Sequence, residues 1–216
     1  MKVITLNNAN SILNNLVMEL RDVDIQSDRM RFTSNIETLG MILSYEASKY
    51  LNFEKVNFRT PYHVCNAPVI KESPVLYTVL RAGIGMQKGV QRIFPSSECA
   101  YFAAKHLHSE SPQLKYIDAP MMDGKTLVLS DPILATGKSV EFAIDSIQSF
   151  GTPSRIIILS IISTEMSIDL LSKTLPDDTI LITCQVDRFD PNVRGTDPGI
   201  GDVGDLLYGE KIKMNY

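Results

Sequence analysis

Cysteine is scarce in this sequence: 216 residues contain three, Cys65, Cys99 and Cys184, widely spaced and with no C-x-x-C pair. An odd, scattered count excludes a disulfide framework and a cysteine zinc site and reads as reduced thiols. Cys99 and Cys184 fall within apolar runs, where packing in the interior is the expectation. Long hydrophobic runs are also missing, since no stretch reaches the roughly 18 apolar residues that span a bilayer. Residues 1–8 turn polar too soon to form a signal-peptide core. These absences predict a soluble cytoplasmic protein with no membrane partner. Basic residues are not in excess either: 21 Lys and Arg stand against 25 Asp and Glu, a net charge of −4. That balance argues against a nucleic-acid partner, which a basic face would have to hold. There is no internal repeat, low-complexity tract or long linker.

What is present describes a globular enzyme. Hydrophobic residues make up 44% of the chain and charged residues 21%, an ordinary balance. A chain of this size buries about 70% of its unfolded surface, enough to fold without a staple. One domain over 1–216 is expected, with a helical amino-terminal segment (about 8–52) and a core (about 75–185). In the first segment Ile36, Leu39, Leu43, Ala47, Tyr50 and Leu51 step by three and four along one helix face. Residues 11–20 form a shorter helix candidate.

The pattern then changes. Short, continuously apolar runs at 75–80, 99–104, 126–130, 156–159 and 180–184 predict strands. They alternate with helix candidates, one through Val90, Ile93 and Phe94, one with Val140, Ala143, Ile144 and Ile147 on a side, and one over 168–175. Gly151 and Pro153 stop the second. Such alternation predicts an α/β fold, a central and mainly parallel sheet buried on both faces by helices. Ligands of such sheets bind beyond the carboxyl ends of the strands. Function is therefore expected in the loops after Leu80, Ala104, Ser130 and Leu159.

The loop Asp131-Pro132-Ile133-Leu134-Ala135-Thr136-Gly137-Lys138-Ser139 follows a strand and opens a helix. Thr136, Gly137 and Ser139 offer hydroxyls and accessible backbone where helix N–H groups and the dipole favour an anion. Asp131 at the strand end would repel phosphate but accept hydrogen bonds from sugar hydroxyls. An acid for a ribose beside a cradle for its phosphate suits a phosphorylated sugar. The pattern is not a P-loop, because Pro132 stands where G-x-x-x-x-G-K-[ST] requires glycine. A plain strand–turn–helix capped by Thr or Ser is the simpler alternative.

Residues 126–139 resemble the PRPP-binding signature of the phosphoribosyltransferases, and D-P-x-L-A-T-G-x-S is similar to its form in the uracil phosphoribosyltransferase family. Leu80-Arg81-Ala82-Gly83-Ile84-Gly85-Met86 resembles the family's pyrophosphate loop. Arg81 there would supply a planar fork of donors, with glycines bringing backbone N–H groups close. Pro198-Gly199-Ile200-Gly201-Asp202-Val203-Gly204-Asp205 resembles its uracil loop. An EF-hand reading of that segment fails for want of acids at alternate positions and a distant Glu. Leu20-Arg21-Asp22, Arg31-Phe32 and Leu43-Ser44-Tyr45-Glu46-Ala47 resemble family elements on the helices before the sheet. Tyr45 and Glu46 read as scaffold or subunit-contact residues.

The resemblance, which runs over about 21–209, implies a type I phosphoribosyltransferase fold with a base-binding hood (about 186–211) at the carboxyl end. It implies the reaction uracil plus PRPP giving UMP and pyrophosphate, with Mg²⁺ held mainly by PRPP and water, and a homodimer or larger homo-oligomer. Arg81, Asp131 and Asp202 are the implied catalytic residues, Asp202 taking up the N1 proton or helping to hold PRPP. PRPP would be held by these with Lys105, His106 and the rest of the 131–139 loop. Uracil would be read by Thr196, Gly201, Asp202 and Val203. Three departures stand out. Gly195-Thr196-Asp197 replaces an aromatic-led segment, Lys105-His106 stands where the family has Tyr-Arg, and Lys138 replaces a glycine. His106 and His108 lack a third ligand for a metal. Two other readings follow from the same residues, a PRPP- or nucleotide-binding pyrimidine regulator with little turnover, and a transferase for another base.

Overall fold

The structure, a computed structural model, describes residues 1–105, 113–193 and 195–211. A short strand β1 (Lys2–Thr5) precedes three helices, α1 (Ile12–Arg21), α2 (Val23–Gln26) and α3 (Arg29–Ser48). A hairpin follows, β2 (Phe53–Arg59) and β3 (Val64–Ile70). Alternation then begins with β4 (Val75–Val79), α4 (Gly83–Ile93), β5 (Cys99–Lys105), β6 (Gln113–Asp118) and β7 (Thr126–Ser130). It continues through β8 (Ile133–Leu134), α5 (Lys138–Ile147), β9 (Arg155–Thr164) and α6 (Glu165–Thr174). The chain closes with β10 (Ile180–Asp190), β11 (Gly195–Asp197) and α7 (Val203–Tyr208).

The main sheet runs in the order β1-β10-β9-β7-β4-β5-β6, parallel except for the edge strand β6. Its central strands are apolar throughout because both faces are covered. On β4, Leu76 enters the core beneath α1, α3 and α4, while Val75, Tyr77 and Val79 enter the one beneath α5 and α6. β7 divides the same way, Val128 against Leu127 and Leu129. The expected α/β architecture is therefore present, with helices on both faces.

Several boundaries differ from the sequence expectation, for local reasons. β9 and β10 continue well past Leu159 and Cys184. Buried serines that end the apolar run are satisfied inside: Ser160 Oγ donates to the carbonyls of Pro132 and Ile162 (3.2 and 2.9 Å), and Ser163 Oγ to Thr183 Oγ1 (3.1 Å). α6 starts at Glu165 because Thr164 caps it, accepting from Ser167 N–H at 3.0 Å. α3 ends at Ser48, so Tyr50 and Leu51 pack from the turn beyond it. Cys184 is buried, whereas Cys99 is only half-buried and accepts from Gln87 Nε2 at 3.5 Å. Tyr45 is exposed and belongs to no core.

Among the elements not expected from the sequence are β1 and a hairpin. β1 pairs in parallel with β10, Lys2 opposite Ile180 and Ile4 opposite Ile182. The β2–β3 hairpin pairs only with itself and exposes Phe53, Val56, Phe58, Tyr62 and Val64. β2 is exposed along its whole length and shows none of the one-sided alternation that marks a half-buried strand.

The strand order explains where a ligand can sit. β4 and β7 are neighbours, but from β4 the chain goes through α4 to β5 on one side. From β7 it goes through α5 to β9 on the other. The two connections diverge and leave a crevice at the carboxyl ends of β4 and β7.

Candidate functional site

That crevice is a cleft of about 1080 Å³. Its walls come from four places: Leu80, Arg81 and Ala82 after β4; Phe102, Ala103 and Ala104 of β5; Asp131, Ile133, Ala135 and Ser139 after β7; and residues of the carboxyl-terminal segment. Three segments singled out from the sequence as separate motifs thus face one space.

Arg81 stands at the end of β4, after a cis Leu80–Arg81 peptide. Its Nη2 donates to Asp205 Oδ1 at 2.7 Å and to the Gly209 carbonyl at 3.3 Å. Its Nε is buried and has no hydrogen-bond partner among the described residues. The following glycines are required by packing. A Cβ at Gly83 would lie 2.9 Å from the Ser130 carbonyl oxygen and from Thr78 Cγ2, and one at Gly85 would meet Leu207 at 3.0 Å and Ile36 at 3.3 Å. Neither glycine lines the cleft. Their role is packing: they let α4 press against the end of β7, α3 and α7.

Asp131 is buried at the end of β7, and its N–H donates to the Leu159 carbonyl at 3.1 Å. Burial pushes its carboxyl up to about 7, against the opposing hydrogen bond from Ile133 N–H. The loop beyond it is fixed by β9. Pro132 C=O accepts from Ile161 and Ile162 N–H at 3.0 Å each, Ile133 and Leu134 form β8 against Ile162 and Ser163, and Thr164 Oγ1 donates to Ala135 C=O at 2.6 Å. Gly137, at φ +81°, turns the chain into α5 with no side chain to cap the first turn, and Thr136 Oγ1 accepts only weakly from Lys138 N–H, at 3.4 Å. Pro132, Leu134, Thr136, Gly137 and Lys138 do not line the cleft. Pro132, Leu134 and Gly137 are buried, Thr136 is half-buried and Lys138 is exposed.

The far wall is built on β10, which runs on to pair antiparallel with β11, Phe189 opposite Thr196. Thr196, Pro198, Gly199, Gly201, Asp202, Val203 and Gly204 face the cleft. Gly199 has φ +68°, and a Cβ there would lie 2.3 Å from the Thr196 carbonyl oxygen, so only glycine fits this turn. Asp202 caps α7 by accepting from Asp205 N–H at 3.0 Å, and Lys211 Nζ lies 3.1 Å from its other oxygen. Burial works against its ionisation, but hydrogen bonds from Asp205 and Gly204 N–H and from Lys211, with that cation's charge, outweigh burial and hold its carboxyl below the ordinary range.

The Lys105 side chain, His106 and His108 lie outside the described residues, although the Lys105 backbone pairs with Gln113. Sequence reasoning missed Lys211, which lines the cleft, and Asp205 as the partner of Arg81. It also gave Arg21 and Asp187 no role at the site, although their ion pair lies directly behind the 198–205 turn. Only Arg21 and Asp205 sat inside a recognisable motif.

The sequence model of the family described as uracil phosphoribosyltransferase matches residues 8–210. The chain belongs to this family. A uracil phosphoribosyltransferase of Porphyromonas gingivalis is 37% identical, covering 98% of this chain and 100% of its own length. One from Thermococcus sibiricus is 28% identical over 92% of this chain and 87% of its own. Among solved structures, a protein from Aquifex aeolicus superposes with a TM-score of 0.85 over 97% of this chain and 99% of its own, at 22% identity, a likeness of fold. The uracil phosphoribosyltransferase match, over residues 8–210, takes in residues of all four walls of the cleft.

Proposed function

We propose that the chain transfers the ribose 5-phosphate of PRPP to N1 of uracil, giving UMP and releasing pyrophosphate. The observation that carries this reading is the convergence of Arg81, the 131–139 loop and the 196–204 segment on one cleft, in a member of this family. The 5-phosphate is assigned to the first turn of α5 beside Thr136 and Ser139, where helix N–H groups and the dipole favour an anion. Asp131 accepts from the ribose hydroxyls. Arg81 faces the pyrophosphate, offering it charge and a planar pair of donors.

As the bond from C1′ to pyrophosphate breaks, positive charge develops on the ribose, N1 of uracil attacks, and the N1 proton passes to solvent water. Positioning and stabilisation of the leaving charge carry the rate. Asp202 stays ionised at neutral pH and is a better acceptor of hydrogen bonds than of protons, so it orients the base or PRPP. Backbone groups around Thr196, Gly201 and Val203 read the alternating donors and acceptors of the pyrimidine edge.

Among the described residues no three His, Cys, Asp or Glu side chains cluster as a metal cage. Asp131 and Asp202 reach the cleft from separate elements. That donor set suits Mg²⁺ carried in by PRPP and water, which would neutralise charge on the leaving pyrophosphate. The exposed β2–β3 hairpin supports a homodimer or larger homo-oligomer, because a two-stranded ribbon bearing Phe53, Phe58 and Tyr62 is only marginally stable alone. No helix among the described residues is long and apolar enough to cross a membrane, and the scattered free cysteines support a cytoplasmic setting.

The deciding experiment supplies PRPP and Mg²⁺ with a panel of purine and pyrimidine bases and follows pyrophosphate release. Release with uracil and with no purine is expected. Release with another base alone would reassign the substrate, and PRPP binding without release would favour a regulator.

A further inference from the structure

Arg21 is the last residue of α1, far in sequence from the cleft, yet its guanidinium is spent entirely on the base-side wall. Nη1 donates to Asp187 Oδ2 at 2.9 Å and to the Gly199 carbonyl at 2.7 Å. Nη2 donates to Asp187 Oδ1 at 2.7 Å and to Gln185 Oε1 at 2.9 Å. Asp187 completes the loop of contacts by accepting from Gly199 N–H at 3.0 Å. Both backbone polar groups of Gly199 are therefore gripped by one ion pair, with Arg21 half-buried and Asp187 buried, their side chains 17% and 3% exposed. The Arg21 carbonyl is itself held by Gln26 Nε2 at 3.1 Å, which keeps the end of α1 in place.

An ion pair that served only the core would end at Asp187. This one reaches past it to the residue whose shape sets the turn. The turn at Gly199 admits no Cβ, which would lie 2.3 Å from the Thr196 carbonyl oxygen, and Thr196 and Gly201 on either side of it line the cleft. Backbone recognition of a base edge tolerates little displacement, since about 1 Å of misplacement can cost on the order of 100-fold in rate.

We propose that Arg21, acting through Asp187, is a positioning residue for base selection: it fixes the Thr196–Gly201 backbone in register with the pyrimidine while leaving the PRPP half of the cleft untouched. This rests on the uracil reading above. The PRPP side does not contact Arg21: the 131–139 loop is held by β9, and the Arg81 guanidinium by Asp205 and Gly209, beyond the Thr196–Gly201 turn. A guanidinium is required, because one lysine ammonium cannot bridge Asp187, Gln185 and Gly199 with a planar fork.

The test measures KM for uracil and for PRPP separately in wild type, in Arg21→Lys and in the double variant Arg21→Leu/Asp187→Leu, with thermal melting of each. The double variant removes both charges together, which avoids an unpaired buried carboxylate. The expected result is a KM for uracil raised roughly tenfold to 100-fold in the double variant and less in Arg21→Lys, with KM for PRPP within about twofold, and weaker discrimination between uracil and pyrimidines altered at one edge group. Folded variants in which both constants move together, or neither moves, overturn the proposal. Wild-type protein that releases no pyrophosphate with uracil overturns the underlying reading, and this inference with it.

Discussion

Arg81 Nη2 donates to Asp205 Oδ1 at 2.7 Å, tying the loop after β4 to the first turn of α7. Lys211 Nζ approaches the same carboxylate oxygen at 3.6 Å. Two cations from opposite sides of the cleft thus share one acid, and that acid aims the guanidinium whose Nε has no partner among the described residues.

Removing Asp205 should therefore affect function more than stability. The pair is about a third exposed on each side, so its loss costs at most about 1 kcal/mol. Asp205→Ala should lower the melting temperature only slightly and reduce kcat/KM for PRPP several-fold, while Arg81→Ala should reduce it more than tenfold. Steady-state kinetics with thermal melting on both variants checks this, and equal activity in all three proteins would remove Arg81 from the pyrophosphate.

Asp131 should make PRPP binding depend on pH. Its carboxyl titrates near 7, and the ionised form is the better acceptor for ribose hydroxyls. Affinity for PRPP should rise as pH increases from 6 to 8. Asp131→Asn should bind more weakly, since a hydrogen bond to a charged group is worth roughly 1.5–3 kcal/mol, and should lose that pH dependence. Calorimetric titration at three pH values would decide it, and a falling affinity would contradict the assigned role.

The same residue should destabilise the ligand-free fold at neutral pH. Its folded-state value lies above the 3.8 of an unperturbed aspartate. The unfolded chain therefore ionises first, and stability is lost as pH rises from about 4 through about 7, then levels. Three pKa units set a ceiling of about 4 kcal/mol. Asp131→Asn should melt at a temperature close to wild type at pH 4 and higher than wild type at pH 8. Melting curves across that range test the sign.

Gly201 is at φ +96° and lines the cleft, with room for a side chain that would first meet Leu206 at 3.7 Å. The obstacle to substitution is therefore backbone strain, not crowding. Gly201→Val should abolish uracil turnover while PRPP binding persists. Loss of both ligands together would indicate collapse of the whole 196–204 wall.

The exposed hairpin gives a prediction about assembly. Phe58→Asp, at a side chain 45% exposed, should leave the melting of the subunit core unchanged and shift sedimentation toward a smaller species. An unchanged sedimentation coefficient would take this face out of the interface.

Much of this protein is written locally. Continuous apolar runs at 75–79 and 126–130 mark strands covered on both faces, because only two-sided burial removes the polar alternation. The Asp131 and Arg81 loops were recognisable because each chemistry needs adjacent residues: an acid beside a phosphate cradle, a fork of donors at a strand end. Tertiary structure decided the rest. The Arg21–Asp187 pair joins residues 166 apart, and no local pattern encodes such a partner. Gly83 and Gly85 suggested close backbone approach to a ligand, and the structure adds a packing demand the sequence does not display, since what a missing Cβ makes room for depends on the neighbouring element. β1 and the hairpin escaped notice because pairing, not periodicity, makes them strands. The acidity of Asp131 likewise follows from burial, which the sequence states only for its neighbours. The sequence by itself determined the alternating fold and the reactive loops; their meeting at the β4–β7 divergence, and the charges each group carries there, were decided by which distant segments the folded chain brings together.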